Sequence, residues 1–144
     1  MDPASLVAQL GPRPKGATVI TLSGELGAGK TTFAQGIARA LGVEEVVTSP
    51  TFVIEKIYQL ENQKWQRLIH IDAYRLKGAH ELEVLGWDEL VADPGNLIVL
   101  EWPENVAELI ADSTTRIRFD IGKKGRIISM TAGSYGEEKG TIKK

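Results

Sequence analysis

Cysteine is absent from the 144 residues, so the chain has no disulfide framework, no thiolate metal site and no cysteine nucleophile. No apolar run approaches the roughly 18 residues of a membrane span. The opening Met1-Asp2-Pro3-Ala4-Ser5 has neither the basic start nor the apolar stretch of a secretory signal. A soluble, cytoplasmic protein is the expectation. An excess of either charge is missing too. With 17 Lys and Arg against 19 Asp and Glu, the formal charge is −2. That supplies no whole-molecule field toward nucleic acid or anionic lipid. What remains, 42% apolar and 25% charged residues, is ordinary for one globular domain with chain enough to bury a core.

No repeat or linker divides the sequence. Ala17–Ser23 is a short β-rich run that stops at Gly24 and reads as a buried strand. From Lys30 the period becomes helical: Phe33, Ile37, Ala40 and Leu41 share a face, and Gly42 is the natural stop. Val53–Leu60 and Trp65–Asp72 read as an antiparallel pair around a polar turn. Short helices are expected over Ala79–Leu85, Asp88–Ala92 and Asn105–Ala111, with a compact apolar strand at Leu97–Leu100. Thr115–Ile121 alternates, and Gly122–Gly125 turns it into a closing hairpin with Arg126–Met130. The sum is an α/β domain over 1–133, a mixed parallel and antiparallel sheet flanked by helices. The polar, Gly/Lys/Glu-rich stretch 134–144 reads as a disordered tail.

The chemistry begins at Gly24-Glu25-Leu26-Gly27-Ala28-Gly29-Lys30-Thr31, which fits G-x-x-x-x-G-K-[ST] at every fixed position. Glycines let successive backbone N–H groups aim inward and form an anion-binding nest, and the following helix adds its positive end. In such a P-loop Lys30 reaches the β- and γ-phosphates, the Thr31 hydroxyl binds Mg²⁺, and Thr32 serves the α-phosphate. A chance match arises in about one chain in 200 of this length. Here a strand precedes the motif and an amphipathic helix follows it, which is the context a P-loop requires.

A P-loop also needs an acid at the end of a neighbouring strand. Leu97–Leu100 ends in Glu101, and Leu68–Ile71 ends in Asp72. Alone, either acid reads equally well as a surface carboxylate. The LIVL run is wholly apolar and therefore the more central strand, which puts Glu101 nearest the metal and leaves Asp72 to orient or activate water. No N-K-x-D segment is present to read guanine, and the chain is short for the lid of a small-molecule kinase. The base pocket is not read from spacing, so hydrolysis of a nucleoside triphosphate is one open reading. A small P-loop kinase acting on a metabolite or nucleoside, and a nucleotide-gated binding module, are the rivals.

Five segments together resemble one family: GELGAGKTT (24–32), TSPTF (48–52), HIDAYRL (70–76), the ELxxLGWDE stretch (81–89) and LEWPEN (100–105). They are similar to the bacterial tRNA threonylcarbamoyladenosine biosynthesis ATPase, TsaE, over roughly Val19 to Met130. The resemblance implies a compact P-loop fold that supplies ATP hydrolysis to tRNA modification. The transfer itself is made by a TsaB–TsaD pair, so tRNA is reached only through that complex. It further implies Thr31 and Glu101 as Mg²⁺ ligands, and Gly24, Gly27, Ala28, Gly29, Lys30, Thr31 and Thr32 around the phosphates of ATP. Thr51 would sense the γ-phosphate, Asp72 would be the essential acid, and Arg126 would touch the nucleotide.

One departure from the family is expected. About 16 residues precede the first strand, and Gly11-Pro12-Arg13-Pro14 is read as breaking any helix there, which would alter nucleotide affinity. Among the other residues, His70 reads as a structural donor. Trp102-Pro103 reads as packing that fixes the acid's loop, with base stacking by Trp102 as the lesser alternative. Glu81, Glu83, Asp88 and Glu89 read as a solvated acidic face, with partner docking as the lesser alternative. Tyr74 and Arg75 are open between partner contact and a surface pair.

Overall fold

The computed structural model describes residues 2–25, 29–44, 55–123, 125–134 and 137–143, without the side chains of 126 and 132–143. Seven strands form one sheet in the order β2-β3-β4-β1-β5-β6-β7. They are β1 (Thr18–Gly24), β2 (Glu55–Gln59), β3 (Arg67–Asp72), β4 (Asn96–Glu101), β5 (Thr115–Gly122), β6 (Gly125–Ser134) and β7 (Glu137–Lys143). The inner four, β3-β4-β1-β5, run parallel. The outer strands β2, β6 and β7 are antiparallel to their neighbours. The mixed sheet follows the order of the chain: helices lie between the parallel partners β3 and β4, whereas the antiparallel partners are consecutive strands.

All six residues of β4 are buried, because helices cover both faces of the sheet, and its four middle residues Leu97–Leu100 are accordingly all apolar. On one face α1 (Pro3–Gln9) and α2 (Lys30–Ala40) pack over Ile20, Leu22, Leu97 and Val99. On the other, α3 (Ala79–Val84), α4 (Trp87–Ala92) and the 3-10 segment Pro103–Leu109 cover Ile69, Ile71, Ile98 and Leu100. The α2 helix has the 11 residues its period implies. Phe33 and Ile37 face the sheet together with Ala38, while Ala40 is exposed at the last turn.

Two segments differ from the sequence reading. The Gly-Pro-Arg-Pro break does not prevent an N-terminal helix; it lies just beyond one. Asp2 caps α1 by accepting the Ser5 N–H at 2.7 Å, and Pro3 occupies the first turn, where proline costs nothing. The Lys64 ammonium closes the other end, donating to the carbonyls of Val7, Ala8 and Leu10 at 3.1, 3.1 and 2.7 Å. Pro3 sits so close to α2 that a Cβ on Gly36 would stand 2.5 Å from its Cγ. The second difference is at the other end, where β7 pairs with β6 within the stretch read as a tail. An edge strand is held by main-chain hydrogen bonds, which composition does not forbid.

One carboxylate in the sheet is poorly accommodated. Glu55 Oε1 is buried without a hydrogen-bond partner among the described residues, and burial pushes the carboxyl above its ordinary value of 4.5. A raised folded-state value means the protonated form is favoured, so this contribution is greatest below pH 4.5 and is lost as pH rises. Glu55→Gln is therefore expected to raise the melting temperature at pH 8 and to lose that advantage toward pH 4. Thermal melts of both proteins across that range check it; a gain independent of pH contradicts it.

Candidate functional site

The sequence motif sits where β1 hands the chain to α2. At the strand end Gly24 has φ +135°, and a Cβ there would stand 2.2 Å from the Phe119 carbonyl of β5, so only glycine fits. Leu26, Gly27 and Ala28 lie outside the described residues. The chain resumes at Gly29, whose φ of +105° turns it into α2. Gly29 has no side chain with which to cap the helix, so its first-turn N–H groups remain available to an anion, at the positive end of the helix dipole. Phe33, one turn in, meets Phe119 edge-on with ring centroids 5.5 Å apart. That contact fixes where the helix begins relative to β5.

Lys30 points back to the end of β1 and is buried, at 4% exposure. Its Nζ donates to the Gly24 carbonyl at 2.6 Å and lies 3.4 Å from the centre of the Trp102 ring. Burial lowers the ammonium below the usual lysine range, while Glu101, then Glu104 and Asp72, pull it back up. The sequence reading gives Trp102 a packing role, with base stacking as the alternative, and neither anticipates the lysine contact. Its contact with Lys30 depends on β1 and β4 being neighbours, which no local pattern reveals. Trp102 occupies the left-handed region (φ 61°, ψ 52°), a strained position for a bulky residue. It is held there by its N–H on Leu22 O at 3.2 Å and by the Tyr74 ring at 4.9 Å.

Glu101 ends β4, in parallel register with Leu22 of β1 and Asp72 of β3. It is buried, and its two oxygens have separate partners. Thr31 Oγ1 donates to Oε1 at 3.3 Å, and His70 Nε2 lies 2.6 Å from Oε2. Mg²⁺ takes oxygen ligands at about 2.1 Å in octahedral geometry, so two adjacent ligands stand about 2.9 Å apart. The Thr31 and Glu101 oxygens are close to that spacing, and both are the hard donors this ion prefers. The pair therefore fits a Mg²⁺ that draws its remaining ligands from phosphate and water. No group of three or more His, Cys, Asp or Glu able to cage a metal occurs among the described residues.

Asp72 lies beside Glu101 and is only partly buried. Its Oδ1 accepts the Tyr74 N–H at 2.9 Å, a side-chain turn that steadies the carboxylate. Asn105 ties the same loop to the 3-10 segment through the carbonyls of Ala73 and Tyr74 at 2.8 and 3.2 Å. The fold thus brings Gly24, Gly29, Lys30, Thr31, Asp72 and Glu101 together beyond the carboxyl ends of parallel strands, where open α/β sheets bind ligands. Thr32 is exposed on the first turn of α2. Thr51 lies outside the described residues. Arg126 is described by its backbone, which pairs with Ile121 two residues past the partner of Gly24. The residue that sequence reasoning left at the margin is His70, whose spacing of two from Asp72 on one strand was the available signal.

The family model described as threonylcarbamoyl adenosine biosynthesis protein TsaE matches residues 2–128. The tRNA threonylcarbamoyladenosine biosynthesis protein TsaE of Streptomyces coelicolor is 44% identical over 103 residues, 71% of this chain and 68% of that one. Its namesake in Bacillus subtilis is 40% identical over 119 residues, 82% of this chain and 72% of the relative. The crystal structure of YdiB from Bacillus subtilis superposes with a TM-score of 0.68 at 33% identity, covering 92% of this chain and 77% of that one. The chain belongs to the TsaE family of P-loop ATPases, components of the tRNA threonylcarbamoyladenosine modification pathway.

Proposed function

We propose that this protein binds ATP with Mg²⁺ at residues 24–32, hydrolyses it slowly, and thereby supports turnover of a TsaB–TsaD transferase. The observation that carries the reading is the pairing of Thr31, at the start of α2, with the buried Glu101 of the adjacent strand. A helix N-terminus alone would suit any anion. One with a carboxylate built in beside it suits a phosphate chain that arrives with its own cation.

In this reading the α2 N–H groups and the nest from Gly24 through Gly27, Ala28 and Gly29 to Thr32 hold the phosphates. Lys30 exchanges the Gly24 carbonyl and the Trp102 face for the β- and γ-phosphates. Thr31 and Glu101 hold Mg²⁺, which when bound neutralises charge building on the transferred phosphoryl group. Asp72, one strand further from the loop, orients the attacking water. Thr51 registers the γ-phosphate, and Arg126 contacts the nucleotide. Because Lys30 must first leave protein partners, the unaided rate is low.

Three variants separate these roles. Lys30→Ala is expected to remain folded yet lose hydrolysis and bind ATP more weakly. Glu101→Ala is expected to raise the Mg²⁺ concentration for half-maximal activity more than about 10-fold. Asp72→Asn is expected to cut the rate about 100-fold or more with ATP·Mg²⁺ affinity nearly intact. Calorimetric titrations alongside steady-state rates test the set. An Asp72→Asn protein that loses more affinity than Glu101→Ala reverses the assignment of the two acids.

The pathway role has its own test. With unmodified tRNA, threonine, bicarbonate, ATP, the enzyme that makes the threonylcarbamoyl donor and the TsaB–TsaD pair, wild type is expected to sustain many rounds of modification. Lys30→Ala should leave the partners stalled early. Equal product with either protein, or with neither, removes the turnover role and favours the small-kinase alternative.

A further inference from the structure

His70 is buried in the sheet and takes no part in the phosphate chemistry above. It lies on β3 in register with Val99, two residues before Glu101. Both side chains face α2, and the imidazole reaches diagonally to the end of β4, its Nε2 2.6 Å from Glu101 Oε2. Side-chain exposures are 2% for His70 and 3% for Glu101. Its other nitrogen, Nδ1, is buried with no hydrogen-bond partner among the described residues. The tautomer protonated on Nε2 fits this arrangement. It donates to the carboxylate and leaves only a lone pair at Nδ1, whereas the opposite tautomer would strand a buried N–H and set a lone pair against Oε2.

The consequence is a division of labour between the two carboxylate oxygens. Oε2 is occupied by the imidazole, so Oε1 is the one turned to Thr31 at 3.3 Å. A glutamate has three side-chain torsions, and the Thr31 hydroxyl at 3.3 Å holds only one of its oxygens; the imidazole at 2.6 Å fixes the other and with it the plane of the carboxylate. From this we infer that His70 is a positioning residue for the metal-side acid, locking the Glu101 carboxylate so that one oxygen is presented beside Thr31 before any nucleotide arrives. The inference rests on the reading of Glu101 as a Mg²⁺ ligand. Outer-shell donors of this kind change metal affinity by about 10- to 100-fold when removed.

The test uses the full chain with Mn²⁺ as a spectroscopic substitute for Mg²⁺. Mn²⁺ affinity is measured from the free-ion EPR signal in the presence of a non-hydrolysable ATP analogue. Nucleotide affinity without metal is measured by calorimetry in EDTA, and stability by thermal melts. His70→Leu keeps apolar volume and removes the donor; it should weaken Mn²⁺ binding about 10- to 100-fold while metal-free nucleotide affinity stays unchanged. His70→Gln, whose amide nitrogen falls near the place of Nε2, should restore Mn²⁺ affinity to within about 3-fold of wild type. Should His70→Leu fail to fold, His70→Asn serves as the donor-deficient arm, because its amide falls short of Oε2. A change in melting temperature with unchanged Mn²⁺ affinity would reduce His70 to a structural histidine and overturn the inference, as would parallel loss of metal-free nucleotide binding. Glu101→Gln separates the two levels. If it weakens Mn²⁺ binding and His70→Leu does not, only the positioning role fails. If Glu101→Gln also leaves Mn²⁺ binding unchanged, the metal-side reading falls and the positioning role falls with it.

Discussion

A carboxylate taken out of water costs several kcal/mol unless hydrogen bonds or a cation compensate it, and Glu101 is such a carboxylate. It is buried at the end of β4, with His70 on one oxygen and Thr31 on the other. Much of the architecture is needed to hold it there. β4 has to be central for its last residue to be buried, so both faces of the sheet must be covered. Thr31 has to lie at the start of a helix beside that strand end, so β1 closes with Gly24 and α2 opens after Gly29. His70 has to lie on the neighbouring parallel strand, offset by one side-chain repeat.

The strand registers do this without long side-chain reaches. Leu22 and Asp72 flank Glu101 on either side, which sets the phosphate loop on one flank and a second acid on the other. Gly24 packs against the Phe119 carbonyl, and Phe119 in turn receives Phe33 of α2. The helix start is thus fixed from both neighbours of β1. In the proposed function Lys30 is the cation that changes partners to act. Its ammonium is held by Gly24 O and the Trp102 ring, the two contacts that phosphate would replace in that proposal.

The fold was largely legible because its signals are periodic and local. The α2 helix announces itself by Phe33, Ile37 and Leu41 and by Gly42, and β4 by four consecutive branched apolar residues. The N-terminal helix was hidden for a definite reason. Gly11-Pro12-Arg13-Pro14 is so strong a breaker that it drew attention from the Asp2-Pro3 cap, although a breaker also marks where a preceding helix ends. β7 carries no apolar alternation because it is an edge strand held by main-chain bonds. Of the site, the motif and the two strand-end acids could be read from type and spacing. The Trp102–Lys30 and His70–Glu101 contacts could not. Each joins residues dozens of positions apart through the order of strands in the sheet, and that order follows from packing rather than from any local run.

The most direct test of the account is a crystal structure of the protein with Mg²⁺ and a non-hydrolysable ATP analogue. The account predicts phosphate density against the start of α2, with the Lys30 ammonium moved from the Gly24 carbonyl to the β- and γ-phosphates. It also predicts a metal within about 2.1 Å of Thr31 Oγ1, with Glu101 Oε1 on the ion or on one of its waters and Oε2 still bonded to His70. Nucleotide bound elsewhere, or phosphates at α2 with Lys30 still on Gly24 and no metal beside Thr31 and Glu101, would contradict it.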